Sequence, residues 1–170
     1  MKVAINAGHT KEGSGYGAVG YMKESEETRK IVNELLVHFR RKGHEAINCT
    51  VDHAVSQNDY LKQTVNLANK SDADLFLSVH FNSGGGKGVE CYTWKGEQLR
   101  ISENICKNIS ILGFPNRGVK DGSGLYVIKK TTMTAILIEV CFVDKMADVA
   151  LYKELGPKQI ALSIYDAVVN

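Results

Sequence analysis

The sequence is short of nearly everything that would mark a special class. It has only 2 prolines against 16 glycines in 170 residues, which excludes a proline-rich linker or stalk. No apolar run approaches the ~20 residues needed to span a membrane. Charge of one sign is also missing: 21 Lys+Arg stand against 19 Asp+Glu, a net of +2, with the signs mixed along the chain. A nucleic-acid binder concentrates basic residues on one face or tail. The nearest cluster here is Arg40-Arg41-Lys42, at a helix end where cations suit the dipole in any case. There is no Cys-x-x-Cys pair among Cys49, Cys91, Cys106 and Cys141, so no zinc knuckle is expected, and a full-size core without a signal peptide makes a disulfide framework unnecessary. Those cysteines read as reduced, buried, small hydrophobes. The opening Met1–His9 is a short strand-like run reaching a glycine, without the longer apolar stretch and cleavage site of a signal peptide.

What is present is ordinary for a globule: 44% hydrophobic and 24% charged residues, in a length that suits one domain with a real core. Along the chain, strand-like and helix-like segments alternate. Strands are expected at Lys2–Ala7, His44–Thr50, Asp74–Phe81, Val89–Trp94, Leu125–Ile128 and Ala135–Phe142. Helices are expected at Glu24–Lys42, Ser56–Lys70, Glu97–Leu112, Lys145–Glu154 and Pro157–Val169, the first on the stripe Ile31, Val32, Leu35, Leu36 and Phe39. Gly113–Gly124 reads as irregular. The pattern predicts an α/β three-layer sandwich: a mainly parallel, mixed sheet of about six strands, covered by helices on both faces. The continuous apolar runs Leu75–Val79 and Ala135–Ile138 suit central strands.

In such a sheet, ligands bind beyond the carboxyl ends of the strands. The first strand is followed by Gly8-His9, the third ends at His80 with Asn82 just beyond, and the last carries Glu139 near its end. His80 alone reads as a core histidine bonded to backbone, and His9 alone as a turn residue. Glu139 within an apolar strand is costly unless paired or placed at a cleft. Convergence of the three on one sheet edge favours a site. Zinc hydrolysis needs three protein ligands, an open position and a carboxylate to manage the proton. Two histidines and an acid are a common ligand set, and the acids nearest to hand open the first helix. At about 100° per residue, Glu24 lies about 50° from the centre of the apolar stripe, Glu27 about 110° and Glu26 about 150°. Glu24 is thus the sheet-facing candidate, and Glu26 and Glu27 read as solvated first-turn acids.

Four ordered segments carry a family resemblance: Asn6-Ala7-Gly8-His9, Gly17 to Glu24, Ser78-Val79-His80-Phe81-Asn82 and Ile138 to Val143. With Gly88-Val89-Glu90 and Asn116-Arg117-Gly118-Val119, they resemble the zinc-dependent N-acetylmuramoyl-L-alanine amidases of the amidase-3 type, over essentially the whole chain. The resemblance implies one zinc ion bound by His9, Glu24 and His80, with Glu139 as the catalytic carboxylate. It implies hydrolysis of the amide between the lactyl group of N-acetylmuramic acid and L-alanine in peptidoglycan, and so wall lysis. Asn82 is a candidate substrate-binding residue. Departures from the family's usual pattern fall at Asn6-Ala7 (often Asp-Pro), Thr134 (often Pro) and Asp144 (often Asn), none of them a proposed ligand.

Other readings are weaker. Gly15-Tyr16-Gly17-Ala18-Val19-Gly20 spells a dinucleotide fingerprint, but it neither follows its strand directly nor opens a helix. It reads better as a loop beside the metal. Cys141, sharing a strand face with Glu139 on period two, is set for burial rather than for a Cys–His pair with His80. Glu90 faces away from Val89 and Cys91 and is given a structural or substrate-side role. A zinc carboxypeptidase of related architecture and a catalytically inactive wall-binding module are the alternatives. Residues 1–170 are expected to form a single catalytic domain without a separate wall-binding domain, which a longer natural form would carry at its C-terminus. With no signal peptide, the expected setting is a phage endolysin, made in the cytoplasm and acting on the wall after release.

Overall fold

The computed structural model describes residues 1–170. Six strands form one sheet: β1 (Lys2–Ala7), β2 (Glu45–Asn48), β3 (Leu75–Asn82), β4 (Val89–Thr93), β5 (Asn116–Asp121) and β6 (Thr134–Phe142). The helices are α1 (Glu24–Arg41), α2 (Gln57–Lys70), α3 (Arg100–Ile111), α4 (Tyr126–Lys130) and α5 (Met146–Val169). The strand order is β2-β1-β3-β6-β4-β5, parallel throughout except that β4 runs antiparallel to β6. This is the mixed α/β sandwich that the alternating pattern implies.

Two apolar layers flank the sheet. On one face, α1, α3 and α5 close over 33 buried residues, among them Ile5, Leu35, Phe39, Leu77, Ile138 and Ile164. On the other, α2 and α4 cover a smaller group of 10, including Ala4, Phe76, Val127 and Leu137. Because side chains alternate along a strand, neighbours divide between the faces. Val79 and Ile138 enter the large core, while His80 and Glu139, paired with each other in register, point the other way. α5 is broken at Gly156 (φ 76°, ψ 163°), and Pro157 starts its second half, so the two helices expected there are both present, one on each side of that glycine.

Two expected segments are corrected. Leu125–Ile128 is not a strand; Tyr126–Lys130 forms the short helix α4, whose Val127 and Ile128 pack into the smaller core. A four-residue apolar run has no period that distinguishes the two states. The sixth strand is instead β5, inside the stretch expected to be irregular. It is an edge strand, largely exposed and charged (Arg117, Lys120, Asp121), so it carries no apolar alternation.

Candidate metal centre and active site

The site stands at the carboxyl edge of the sheet, where β1, β3 and β6 end. Immediately after β1, Gly8 hydrogen-bonds to the Val79 carbonyl, and His9 adopts a left-handed backbone (φ 67°). That conformation is uncommon outside glycine and needs support. The His9 N–H donates to the Tyr60 hydroxyl at 2.7 Å, and its carbonyl accepts from Arg29 Nη2 at 3.0 Å. Gly8 has to be glycine for a different reason: a Cβ there would lie 2.4 Å from the His80 ring. Glu24, the first residue of α1, is 3% exposed and reaches over the edge of the sheet. Its Oε2 accepts the Ala18 N–H at 2.8 Å, and its Oε1 the Phe81 N–H at 3.1 Å.

Hydrogen bonds behind the rings decide which nitrogens face Glu24. His9 Nδ1 lies 2.9 Å from the Gly15 carbonyl, which only accepts, so Nδ1 carries the proton and Nε2 the lone pair. Nε2 is 3.3 Å from Glu24 Oε1. Asn6 directs its Nδ2 at the carbonyls of Ala7 and Cys49, which leaves its Oδ1 to accept from the Ser78 hydroxyl at 2.9 Å. Ser78 Oγ is then the acceptor for His80 Nε2 at 3.1 Å. His80 Nδ1 is thereby left as a lone-pair donor, 3.0 Å from Glu24 Oε1. One donor atom from each of the three residues falls within 4.8 Å of the others. Two imidazole lone pairs and a carboxylate repel one another unless a cation stands among them, so the donor set fits a metal ion. With protons as the only cations, burial opposes charge on Glu24, but contacts with His80 and His9 hold its carboxyl far below the usual range. Burial depresses His9, yet Glu24 more than offsets this and raises it; for His80, burial wins and the shift is downward.

Glu139 is the neighbour of His80 across β3–β6. Its Oε2 is shut off from solvent and has no hydrogen-bond partner. Burial, with the charges of Glu24 and Glu90 adding, pushes its carboxyl well above the ordinary range. Two clefts meet at His9 and Glu139. One, of about 380 Å³, runs between Tyr60, Leu61 and the Leu125–Val127 segment; the other, of about 330 Å³, is bordered by Tyr16, Gly17, Phe81, Asn82 and Ser83. A third cleft of about 370 Å³, beside Trp94, lies at the opposite end of β6 and holds none of these groups.

The sequence-predicted residues His9, Glu24, His80 and Glu139 are brought together. Asn82 borders the smaller cleft with both ends of its amide engaged: Nδ2 donates to Glu90 Oε1 at 2.7 Å, and Oδ1 accepts the Ser83 N–H at 2.8 Å. Glu27 is not simply solvated, since it also accepts from the Tyr152 hydroxyl at 3.0 Å. Cys141 does not share a face with Glu139. The register shifts between His80/Glu139 and Asn82/Phe142, so Val140 and Cys141 both enter the large core, and burial pushes the Cys141 thiol strongly upward. The glycine-rich loop is shaped by the centre itself: a Cβ on Gly17 would lie 2.6 Å from Glu24 Oε2 and 2.7 Å from His9 Cδ2. Sequence reasoning missed Ser78 and Asn6, which set the His80 tautomer. The signal was available in the i, i+2 spacing of Ser78 and His80 on one strand face.

Comparisons with known proteins show which proteins the chain is similar to. An uncharacterised protein of Clostridium perfringens (strain 13 / Type A) is 35% identical over 176 residues, covering 99% of this chain and 51% of its own length. The endolysin of Bacillus phage SPP1 is 34% identical over 162 residues, covering 89% of this chain and 58% of its own. The chain thus spans about half the length of these curated relatives. Among solved structures, the catalytic domain of the CD27L endolysin targeting Clostridia Difficile superposes with a TM-score of 0.92 at 29% identity, over 100% of this chain and 97% of that one. Residues 3–170 match the model of one family throughout, and the chain belongs to it: Amidase_3, the N-acetylmuramoyl-L-alanine amidases.

Proposed function

We propose that this chain is a zinc-dependent N-acetylmuramoyl-L-alanine amidase that hydrolyses the lactyl–L-alanine amide of bacterial peptidoglycan. His9, Glu24 and His80 hold the ion, and Glu139 carries the proton. One observation supports this above others: two imidazole lone pairs and a carboxylate converge beside a buried carboxyl oxygen that has no partner. A zinc ion held there supplies Lewis acidity toward an amide carbonyl and lowers the pKa of a water. The chain's own residues do the rest. Gly15 and Ser78 keep the two imidazoles in the tautomers that present lone pairs. Glu139 accepts the proton of the attacking water and returns it to the leaving amine. Asn82 fixes the rim of the smaller cleft through Glu90 and Ser83.

Residues 1–170 serve in this reading as one catalytic unit, since the proposed site residues run from His9 to Glu139 and gather at one edge of a single sheet. No helix is long and apolar enough to cross a membrane. The substrate is a wall polymer, and release of the peptide from the glycan lyses the wall, as expected of an endolysin. The test is to strip the protein with a chelator, assay peptidoglycan for new L-alanine amino termini, and restore zinc. Activity should vanish and return. Full activity of metal-free protein would overturn the zinc mechanism, and free amino acids as the product would point to a carboxypeptidase.

A further inference from the structure

Arg117, on the edge strand β5, has no part in the chemistry above, yet it is held in a fixed place. Its Nε donates to Glu90 Oε2, and its guanidinium lies 5.2 Å from the centroid of the Phe142 ring. Glu90 is only 3% exposed, and its other oxygen accepts from Asn82 Nδ2 at 2.7 Å and the Tyr92 hydroxyl at 2.8 Å. A buried carboxylate gripped by three donors is a rigid anchor. It takes Arg117 by one nitrogen only. Nη1 and Nη2 donate to no protein atom, and the side chain is 39% exposed. An arginine serving Glu90 alone would favour the two-nitrogen fork that arginine and carboxylate usually form. Here the end of the fork carrying both Nη groups stays available to a second carboxylate.

The position of that end fits the substrate. Glu90 faces Glu139 across β4–β6, and β5 is the next strand outward. Strands lie about 4.8 Å apart, which sets the guanidinium roughly 5–10 Å from Glu139. An extended peptide advances about 3.4 Å per residue, so this is the reach of about two to three residues. Of the two halves of the proposed substrate, N-acetylated sugars are neutral and the lactyl carboxyl is already in the amide. Only the peptide half carries free carboxylates. We infer that the Nη pair of Arg117 is a carboxylate-binding subsite for the peptide, reading a carboxylate two or three residues beyond the scissile amide and laying the peptide across β4 and β5.

This inference rests on the amidase reading and is tested within it. Two synthetic muramyl peptides, differing only in whether that carboxyl is free or amidated, are given to the zinc-loaded protein, and kcat and KM are measured separately. A charge-assisted bond to the carboxylate is expected to favour the free form about ten- to a hundredfold in kcat/KM, mainly through KM. The preference should collapse toward unity in Arg117→Gln and be partly kept in Arg117→Lys, which preserves the charge beside Glu90 should the glutamine variant not fold. Equal use of the two peptides by the wild type would overturn this inference alone. So would an equal loss on both peptides in the variants, since that marks Arg117 as only a partner of Glu90. Cleavage of neither peptide would overturn the amidase reading, and this inference with it.

Discussion

The two faces of the sheet do different work with the same strands. One face is closed by three helices over 33 buried residues; the other is half-covered by α2 and the five-residue α4, over 10. Where those two helices part, the second face is polar, bearing Ser78, His80, Glu139 and Glu90. Val79 and His80, or Ile138 and Glu139, are adjacent in the chain yet belong to opposite regimes. The thick face supplies the rigidity that lets the thin face keep groups in unfavourable surroundings, such as the partnerless Oε2 of Glu139.

Glu139→Gln should separate the regimes most sharply. It keeps the shape and removes the proton carrier, so kcat should fall by about 10²–10⁴-fold while bound zinc, measured by elemental analysis, stays near one per chain. The same variant should be more stable when metal-free. A folded-state carboxyl raised above its unfolded value binds its proton more tightly in the native protein, so wild-type stability declines as pH rises from the unfolded pKa through the folded one. Glutamine does not titrate. Urea unfolding should show the variant ahead at pH 7, with the gap closing as the pH falls through the unfolded carboxyl's pKa. A variant less stable at pH 7 would mean that Glu139 is a structural group rather than a strained one.

Next in size, Ile138→Ala on the thick face should cost about 4 kcal/mol, and Leu137→Ala on the thin face about 2. Similar losses at the two positions would erase the contrast between the faces. Smallest, Gly17→Ala forces a methyl toward Glu24 and His9, and should weaken zinc affinity about 10–100-fold in chelator competition while leaving the unfolding midpoint nearly unchanged. Unaltered affinity would show that the loop yields without disturbing the donors.

Legibility in the sequence followed the same divide. The α1 stripe from Ile31 to Phe39 is visible because the thick face repeats apolar residues at the helical period, and the same phase argument singled out Glu24 over Glu26 and Glu27. Glu139 stood out because a carboxylate interrupts an apolar strand. β5 was hidden, since an exposed edge strand has no buried face to write a period of two. The facing of Cys141 was misread because a bulge changes the count in a way that alternation cannot show. The Asn6–Ser78–His80 relay joins residues 72 positions apart, and only strand pairing brings them together.

β6 has one more consequence. It lies between β3 and β4, and it is the last strand in the chain. Taken without Thr134–Phe142, the strand order divides into two unjoined pieces, β2-β1-β3 and β4-β5. His9, Glu24 and His80 all belong to the first piece and are complete by residue 82; Glu90 and Arg117 belong to the second; Glu139 rides on the strand that joins them. The strand that completes the sheet is therefore also the one that brings the carboxylate proposed to carry the proton up to three donors that the first half of the chain already supplies.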